Sequence, residues 1–325
     1  GGMYQGFGNT QAPIVKAKIW ATDCFVSEFC DHFAEDLNTP VEVSDSWQTF
    51  GRVLDHLLKV ADDKDTLPAE IVDKIKQPIK NLRECVEKSE GLYRKYQSYQ
   101  QWKMQYYLSK MVDDITKLVN TMTKVGDIVV FPVQIPGIHE AGTAFIVEYQ
   151  DGDTVRVTVI NVSPFTEFHP KTVGDENPSK IKQQVALTVS DVPKAKICSE
   201  SWWSVVMLSA KSLQKENVFY THFLCWLTGR NHEGQIADHI GEAYYATPAK
   251  STNAVFWKSL VHVLKYVLRR AGLAKEEVKF VRHYVKQYML EAVEEDLGKV
   301  KSIKLSTKKL IESAAQNTAI SVARN

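Results

Sequence analysis

A cysteine, two histidines and an asparagine are the residues of this chain whose chemistry could add up to a hydrolase. A cysteine hydrolase needs a thiolate nucleophile, a histidine that shares its proton, and a polar side chain that orients the histidine. Cys24 follows Thr22-Asp23, a pair that could cap a helix and favour the thiolate. Asn161 ends a predicted strand, His139 precedes an earlier strand, and His169 lies in the loop that follows. The candidate catalytic set is therefore Cys24, His139, Asn161 and His169.

Cys24 also has a purely structural interpretation. It falls on an apolar stripe at helical spacing, and cysteine is among the residue types most often buried. Asp23 would place a carboxylate beside the thiol, which disfavours the thiolate. Core packing and catalysis both remain open for Cys24.

Metal and cofactor chemistry find less support in the sequence. His222, Cys225, His232 and His239 could offer zinc imidazole and thiolate ligands, but their spacing is unconventional and the first two lie in an apolar helical pattern. The glycines of Gly6-Phe7-Gly8 neither follow a strand nor lead to Gly-Lys-Ser/Thr, and the Gly-x-Ser-x-Gly elbow is absent. The sequence predicts no metal and no cofactor.

Composition restricts the class of partner. The chain has 325 residues, 44% of them hydrophobic, and 40 basic residues against 39 acidic ones give a formal net charge of +1. Such a balance attracts neither nucleic acid nor an anionic membrane, and no apolar run is long enough to cross a bilayer. Five scattered cysteines, an odd number, indicate reduced thiols. We expect a cytoplasmic protein with a protein partner, and neither nucleic acid nor membrane as partner.

Basic side chains of the C-terminal helices offer the one argument for nucleic acid. They are interleaved with Glu276 and Glu277, which favours a solvated helix face over a binding surface. These basic residues are Lys265, Arg269, Arg270, Lys275, Lys279, Arg282 and Lys286.

The elements that must position the candidate residues follow from hydrophobic periodicity. Apolar residues at spacings of three and four predict helices over Ile14 to Leu37, from Ser46 to near Asp62, over Leu67 to Tyr93 with a break or kink near Pro78, and over Tyr93 to Val125. At Gly126 the period changes to two, which indicates strands. The predicted strands are Ile128–Val133, Ala144–Tyr149, Thr154–Asn161 and Gln184–Val189.

The two central strands form the clearest unit. Asp151-Gly152 between them predicts a tight hairpin in which this pair supplies a positive φ. Val155, Val157 and Val159 alternate with Arg156 and Thr158, so we expect the hairpin to be half buried. Ser163 to Ser179 contains three prolines and predicts a loop.

After the strands the helical pattern returns, over Glu216–Leu227, Asn253–Ala271 and Glu276–Leu297, and it reaches the last residues without a stop signal, as in a segment of a longer protein. The predicted fold class is α+β, a small antiparallel sheet with a central hairpin flanked by N-terminal and C-terminal helical blocks. We expect a helical region over 1–125, a β segment over 126–195 and a helical region over 196–325 that forms one compact unit with the β segment.

The stretch Ile135-Pro-Gly-Ile-His-Glu-Ala-Gly-Thr-Ala-Phe-Ile-Val-Glu-Tyr, then Val159-Ile-Asn-Val-Ser and Phe168-His-Pro, resembles a segment of large multidomain proteins. In those proteins a Gly-His-Ala strand precedes an Asn-Thr-Gly strand end and a His-Pro. Their downstream helical part is similar to Leu268-Arg-Arg-Ala-Gly-Leu and the helix after it, so the resemblance covers about residues 90 to 325. The His-strand and Asn-strand arrangement is in turn similar to papain-like cysteine peptidases, including deubiquitinase-like folds.

This chain departs from that pattern at the base. Thr143 occupies the place of the motif's His, and Val162-Ser163 replaces Thr-Gly. Threonine cannot act as a general base, so the resemblance implies a site without its chemistry unless His139 or His169 substitutes. The first hypothesis is a non-catalytic protein-interaction module, a degenerate papain-like domain of a larger intracellular protein with a protein partner, for which ubiquitin-like proteins are one candidate class. The alternative is an active cysteine hydrolase acting on a protein or ubiquitin-like substrate, with Cys24 as nucleophile and Asn161 as orienter.

Overall fold

The fold is known from a computed structural model. It describes residues 24–25, 43–97, 104–134, 142–163, 168–173, 181–203, 219–229, 245–248 and 255–299, with isolated helical positions between 309 and 319. His139 and most of the predicted first helix lie outside these residues.

Three amphipathic helices form the described N-terminal part: α1 (Val43–Asp62), α2 (Ala69–Gln97) and α3 (Met104–Asn120). The buried residues of α1 recur every three or four positions, namely Trp47, Phe50, Val53, Leu54 and Leu57, which is the pattern the sequence predicts. Pro78 does not end α2, because the helix continues through it, and Tyr93–Gln97 belongs to α2 rather than to the helix that follows.

A four-stranded antiparallel sheet, here called the main sheet, occupies the centre of the fold. The strands of the described residues are β1 (Ile128–Gln134), β2 (Gly142–Tyr149), β3 (Thr154–Ile160), β4 (Lys171–Val173), β5 (Ile181–Gln184), β6 (Ala186–Pro193) and β7 (Tyr245–Ala246). The main sheet has the order β1-β2-β3-β6, and β4, β5 and β7 form a small second sheet in the order β4-β5-β7. The predicted loop over Ser163 to Ser179 therefore contains a short strand, β4.

The hairpin between β2 and β3 is where the sequence places it, but its turn works differently. Gly152 does not have a positive φ, so the expected role of Asp151-Gly152 is wrong. The turn is instead closed by the side chain of Asp151, whose Oδ1 accepts hydrogen bonds from the backbone N–H groups of Asp153 at 3.0 Å and Thr154 at 2.9 Å. An aspartate that binds the backbone two and three residues on can form a turn without a left-handed residue.

The helices of the C-terminal part are α4 (Lys194–Ile197), a π-helical turn (Phe219–Phe223) that leads into α5 (Leu224–Thr228), α6 (Val255–Arg270) and α7 (Lys275–Lys299). Of these, α6 packs on β2 and β3, α5 packs on β6, and α7 packs against α1 and α6. The π-helical turn begins within the predicted helix Glu216–Leu227. Between α6 and α7 the chain reverses at Gly272, whose φ of +96° a side chain would strain.

Both faces of the hairpin are buried, so the expectation of a half-buried hairpin is wrong. On one face Thr158 of β3 is fully buried and lies 3.0 Å from the hydroxyl of Tyr266 in α6. On the other face Phe145 of β2 contacts Trp202 and stacks on Phe219 at 5.6 Å. The polar alternation of β3 reflects a polar contact with a helix rather than contact with water.

The outer edge of β1 is closed by α2. The hydroxyl of Ser89 donates a hydrogen bond to the carbonyl of Val130 at 2.6 Å, and the N–H of Val130 donates to the sulfur of Cys85 at 3.0 Å. An edge strand with unpaired backbone groups invites pairing with other chains, and α2 removes that opportunity at Val130.

The predicted fold class is confirmed: helices flank an antiparallel sheet with a central hairpin. One cluster of buried apolar residues includes members of α1, α2, the main sheet, α6 and α7. Among the described helices, none combines the length and apolar character needed to cross a membrane.

Candidate functional site

Cys24, the predicted nucleophile, lies in the hydrophobic core. It occupies a helical position, its side chain is 0% exposed, and its Sγ donates a hydrogen bond to the hydroxyl of Thr49 in α1 at 3.4 Å. Thr49 is itself fully buried. In this conformation a macromolecular substrate could not reach the sulfur without displacing core side chains.

Thr143 lies on β2, opposite Val133 of β1, and is fully buried. It stands where the papain-like pattern would place the catalytic histidine. His139, the first of the two histidines that could substitute for it, is outside the described residues.

Asn161 and His169, in contrast, are brought together, although eight positions separate them in the sequence. Both contact the hydroxyl of Tyr220 in the π-helical turn. The Nδ2 of Asn161 donates to this hydroxyl at 3.1 Å, and the Nε2 of His169 lies 2.8 Å from it. All three side chains are buried, with exposed fractions of 0% or 1%. The group is called the His169 cluster below: Asn161, His169, Gln184 and Tyr220.

The hydrogen bonds of the cluster determine which nitrogen of His169 carries the proton. The Nδ1 lies 2.7 Å from the backbone carbonyl of Gln184, which can only accept, so Nδ1 is the protonated nitrogen. The Nε2 of the neutral ring is then an acceptor, and the Tyr220 hydroxyl donates to it. The same hydroxyl oxygen accepts a hydrogen bond from the Nδ2 of Asn161. Each hydrogen bond of the cluster therefore has a defined donor and a defined acceptor. Both nitrogens of His169 are thereby engaged.

Burial holds His169 in its neutral form. Removal of the imidazole from water lowers its pKa from 6.5 to about 4, and the hydrogen bond to the Gln184 carbonyl opposes this shift only in part. A carbonyl acceptor favours the protonated ring, but it carries no full charge to compensate a buried imidazolium. At neutral pH His169 is an uncharged, hydrogen-bonded core residue.

Backbone contacts fix the cluster between the two sheets. The N–H of Asn161 donates to the carbonyl of Val185 at 3.0 Å, and the Nε2 of Gln183 donates to the carbonyl of Asn161 at 3.0 Å. The Oδ1 of Asn161 accepts from the N–H of Ser163 at 2.9 Å. Phe168 stacks on the Tyr220 ring with centroids 4.9 Å apart. The end of β3, the end of β5 and the π-helical turn therefore meet at one buried ring.

Tyr220 is the member of this cluster that the sequence does not single out. It lies within an apolar helical pattern, where an aromatic residue indicates core packing, and the core is indeed where its ring lies. The signal that was available is its hydroxyl, because a buried tyrosine needs a partner for its O–H.

The weaker zinc candidates are not brought together where they can be described. His222 is exposed and its Nδ1 lies 2.8 Å from the hydroxyl of Thr221, whereas Cys225 is buried with its Sγ 3.5 Å from the carbonyl of Tyr220. His232 and His239 lie outside the described residues. Within the described part of the chain, no three His, Cys, Asp or Glu side chains are placed to hold a metal ion.

A second buried polar cluster lies at the middle of β3, where Glu148 of β2 is opposite Arg156. The carboxylate of Glu148 pairs with the guanidinium of Arg270, whose Nε lies 3.0 Å from Oε1, and accepts from the hydroxyl of Tyr266 at 3.2 Å. This hydroxyl also contacts Thr158. The group is called the Glu148 cluster below: Glu148, Thr158, Tyr266 and Arg270.

Several of the basic side chains that were considered for nucleic-acid binding make contacts within the protein. Arg270 pairs with Glu148, Arg269 donates to the carbonyl of Leu273 at 3.0 Å, and Lys279 lies 3.4 Å from Glu276. Arg282 is buried. The prediction of a solvated helix face is therefore wrong for Arg282, and Arg270 is only partly solvated.

Comparison with known proteins gives no assignment. The chain matches no protein-family model, and a search of curated proteins finds no similar sequence. The functional argument therefore depends on the geometry of the candidate residues themselves.

Proposed function

We propose that this protein is a non-catalytic protein-interaction module, a papain-like domain without the peptidase chemistry, and that it belongs to a larger intracellular protein. The observation that carries the proposal is the closed state of His169. A general base must offer a free lone pair to the nucleophile, and the Nε2 lone pair of this ring is occupied by the Tyr220 hydroxyl. The Nδ1 proton is held by the Gln184 carbonyl.

The other predicted catalytic residues support the same proposal. The Cys24 thiol is 0% exposed and is hydrogen-bonded to Thr49 rather than held in an electropositive, accessible setting. The position of the motif's histidine is a buried threonine, Thr143. Asn161 still contacts His169 indirectly through Tyr220, so the orienting residue persists as a structural link.

Two exposed aromatic side chains of the described surface support a protein partner. Trp226 and Phe280 are 44% and 42% exposed, and large aromatic side chains at the surface are typical anchors of protein interfaces. Lys196 lies over the Trp226 ring, with its Nζ 5.0 Å from the centroid, in a cation–π contact. The resemblance to deubiquitinase-like folds makes ubiquitin-like proteins the first class of partner to test.

Thiol labelling tests the proposal. The native protein is incubated at neutral pH with ubiquitin carrying a C-terminal thiol-reactive group, and with a peptide that carries the same electrophile. We expect no covalent adduct at Cys24 by mass spectrometry, because the sulfur is enclosed by the core. The same reagent applied in denaturant should modify Cys24, which shows that the thiol itself is reactive.

The Cys24→Ala variant is the matched control. Rapid labelling of the native protein at one site, lost in Cys24→Ala and slowed in His169→Gln, would overturn the proposal and establish the cysteine hydrolase instead. Binding of the ubiquitin probe without covalent reaction, seen as a shift in a native gel, would support the ubiquitin-like class of partner.

A further inference from the structure

One buried imidazole joins three separate segments of the fold. The Nδ1 of His169 donates to Gln184 at the end of β5, and its Nε2 accepts from Tyr220 in the π-helical turn. Through Tyr220 the ring is linked to Asn161, the residue after the last position of β3. The small sheet, the π-helical turn and the main sheet are thus connected by side chains whose hydrogen bonds all depend on one another.

This chain of hydrogen bonds is compatible with only one protonation state of His169. Addition of a second ring proton turns Nε2 from an acceptor into a donor, so it faces the O–H of Tyr220 with no lone pair to receive it. The phenol proton of Tyr220 would then lose the acceptor that it has in Nε2, while the Nδ2 of Asn161 still donates to the same oxygen. The protonated ring would also be a buried charge, which is costly without a paired counter-charge.

We infer that the His169 cluster is an acid-sensitive latch: neutral His169 fastens the small sheet to the π-helical turn and to the end of the main sheet, and protonated His169 releases the small sheet. The inference concerns regulation of the fold and does not depend on the proposed function. Release would expose the stacked rings of Phe168 and Tyr220, which are packed against each other when the latch is closed.

Among the charged and titratable groups on the described elements around the ring, His169 is the one whose protonation would disrupt the hydrogen bonds of the cluster. Lys171 of β4 and Lys182 of β5 are exposed, His222 of the π-helical turn is exposed and hydrogen-bonded to Thr221, and Cys225 contacts the Tyr220 carbonyl. The pKa of His169 is lowered by burial and raised in part by the hydrogen bond to the Gln184 carbonyl. Among the described residues, no carboxylate is paired with the His169 ring.

The segment that the latch holds is small enough to move by itself. Described pairing in the second sheet is limited to three residue pairs between β4 and β5 and two between β5 and β7. Small elements with few ladder bonds open at a fraction of the free energy needed for global unfolding. Opening of this sheet leaves the pairing of the main sheet intact.

The direction of the pH effect follows from linkage. The pKa of His169 is about 4 when the ring is closed in, below the ordinary value of 6.5 that it regains on exposure. The open state therefore binds more protons, and the closed state loses stability as the pH falls from about 6.5 to about 4. At about pH 4.5 the opening constant should rise by roughly fiftyfold over its value at neutral pH.

Hydrogen exchange on the full chain tests the latch. Exchange is followed by mass spectrometry from about pH 7.5 to about pH 4.5, with rates divided by the intrinsic rate at each pH. We expect protection of peptides over 168–173 and 181–184 to fall by more than tenfold towards acid, following the linkage relation. Peptides of α2 should keep their protection.

Two histidine variants serve as controls. His169→Gln has no titrating ring, so protection of the same peptides should no longer depend on pH, whether it is high or low throughout. His222→Gln changes an exposed histidine of the same turn and should keep the wild-type response. A second buried histidine, His262 of α6, also has a pKa well below its usual range, owing to burial and then to Lys265, Arg282 and Lys258, so its effect would appear in peptides of α6.

Three results would overturn the inference. The first is wild-type protection of these peptides that stays constant down to about pH 4.5, where the linkage relation predicts most of the loss. The second is an acid response that His169→Gln retains. The third is a loss of protection spread evenly over all elements, including α2, which would mean global acid unfolding rather than release of the small sheet.

Discussion

The Glu148 cluster lies at the middle of β3 and the His169 cluster at its C-terminal end, and each buries hydrogen-bonding side chains between a strand and a helical segment. The Glu148 cluster contains full charges, with a carboxylate that is 4% exposed paired with a guanidinium that reaches the surface. The His169 cluster contains none, because its ring, amide and hydroxyl are all neutral at neutral pH.

The difference lies in what compensates a buried charge. Arg270 supplies a counter-charge to Glu148, and Arg156 adds a second with its Nη1 at 3.6 Å. The phenol of Tyr266 stays protonated beside them, because burial and then the Glu148 charge raise its pKa. Within the described part of the chain no counter-charge is paired with His169, and burial favours the neutral ring. The Glu148 cluster joins the main sheet to α6 through an ion pair, whereas the His169 cluster is stable only while its imidazole is neutral.

Removal of the Glu148 carboxylate should cause the largest loss in the free energy of unfolding. In Glu148→Ala, Arg270 loses its ion pair and the hydroxyl of Tyr266 loses an acceptor. Breaking a buried ion pair by deleting one partner costs about 4 kcal/mol, and we expect a loss of that order in the free energy of unfolding measured by urea denaturation.

The controls separate charge from packing. Glu148→Gln keeps an acceptor for Tyr266 and should lose less than Glu148→Ala. Glu276→Ala removes an exposed carboxylate from its pair with Lys279 and should change stability by less than about 0.5 kcal/mol. If Glu148→Ala were no more harmful than Glu276→Ala, water rather than Glu148 would be satisfying Arg270, and the two clusters would not differ as described.

Protonation of His169 in acid should cause the second largest loss in the free energy of unfolding. A pKa lowered from 6.5 to about 4 contributes stability that is complete above about pH 6.5 and is lost as the pH falls towards 4, up to roughly 3 kcal/mol. The loss is capped by the free energy that closes the latch, because an opened ring titrates normally. The measurement is the difference in unfolding free energy between wild type and His169→Gln, at neutral pH and at about pH 4.5.

This difference cancels the other groups that titrate in the same range, including His262 and the carboxylates. We expect the free energy of unfolding of the wild type to exceed that of His169→Gln at neutral pH, and this difference to disappear in acid. An advantage that is the same at both pH values would mean that the ring titrates alike in the folded and unfolded states.

Loss of the Tyr220 hydroxyl should have the smallest effect of the three. Tyr220→Phe keeps the stacked ring but leaves the Nδ2 of Asn161 and the Nε2 of His169 without this partner. A buried polar group left unsatisfied costs about 2 kcal/mol, which we expect as a lower free energy of unfolding. Tyr284→Phe is the matched control, because its partly buried hydroxyl makes one bond to the Thr66 carbonyl, so its loss should be under about 1 kcal/mol. Equal losses in the two variants would show that the Tyr220 hydroxyl links nothing beyond itself.

Sequence reasoning identified two members of the His169 cluster and missed the residue that joins them. Asn161 and His169 stand out because their side chains can do acid–base chemistry, and a strand end and the following loop are places where such residues meet. Tyr220 lies 51 positions after His169, in a pattern that predicts only core. The side-chain contact between them depends on how the π-helical turn docks on the main sheet, which no local pattern encodes.

The hairpin shows the same limit in another form. Alternation of valine with polar residues placed β2 and β3 within one or two residues, and Asp151 marked the turn. The same alternation suggested that Thr158 faces water, because periodicity separates the two faces of a strand without saying what covers each face. Tyr266 covers Thr158 from α6, which lies more than 100 positions later in the chain.

The sequence by itself determined the α+β class, the succession of helical, β and helical regions, and the residues able to do chemistry, because periods of 3.6 and 2 and side-chain type are local properties. Only the tertiary structure decided that Cys24 is enclosed by the core and that both nitrogens of His169 are engaged. Burial and hydrogen-bond partners are set by segments distant in sequence. The protonation state and reactivity of a side chain depend on those partners, so they emerge only when the elements pack together.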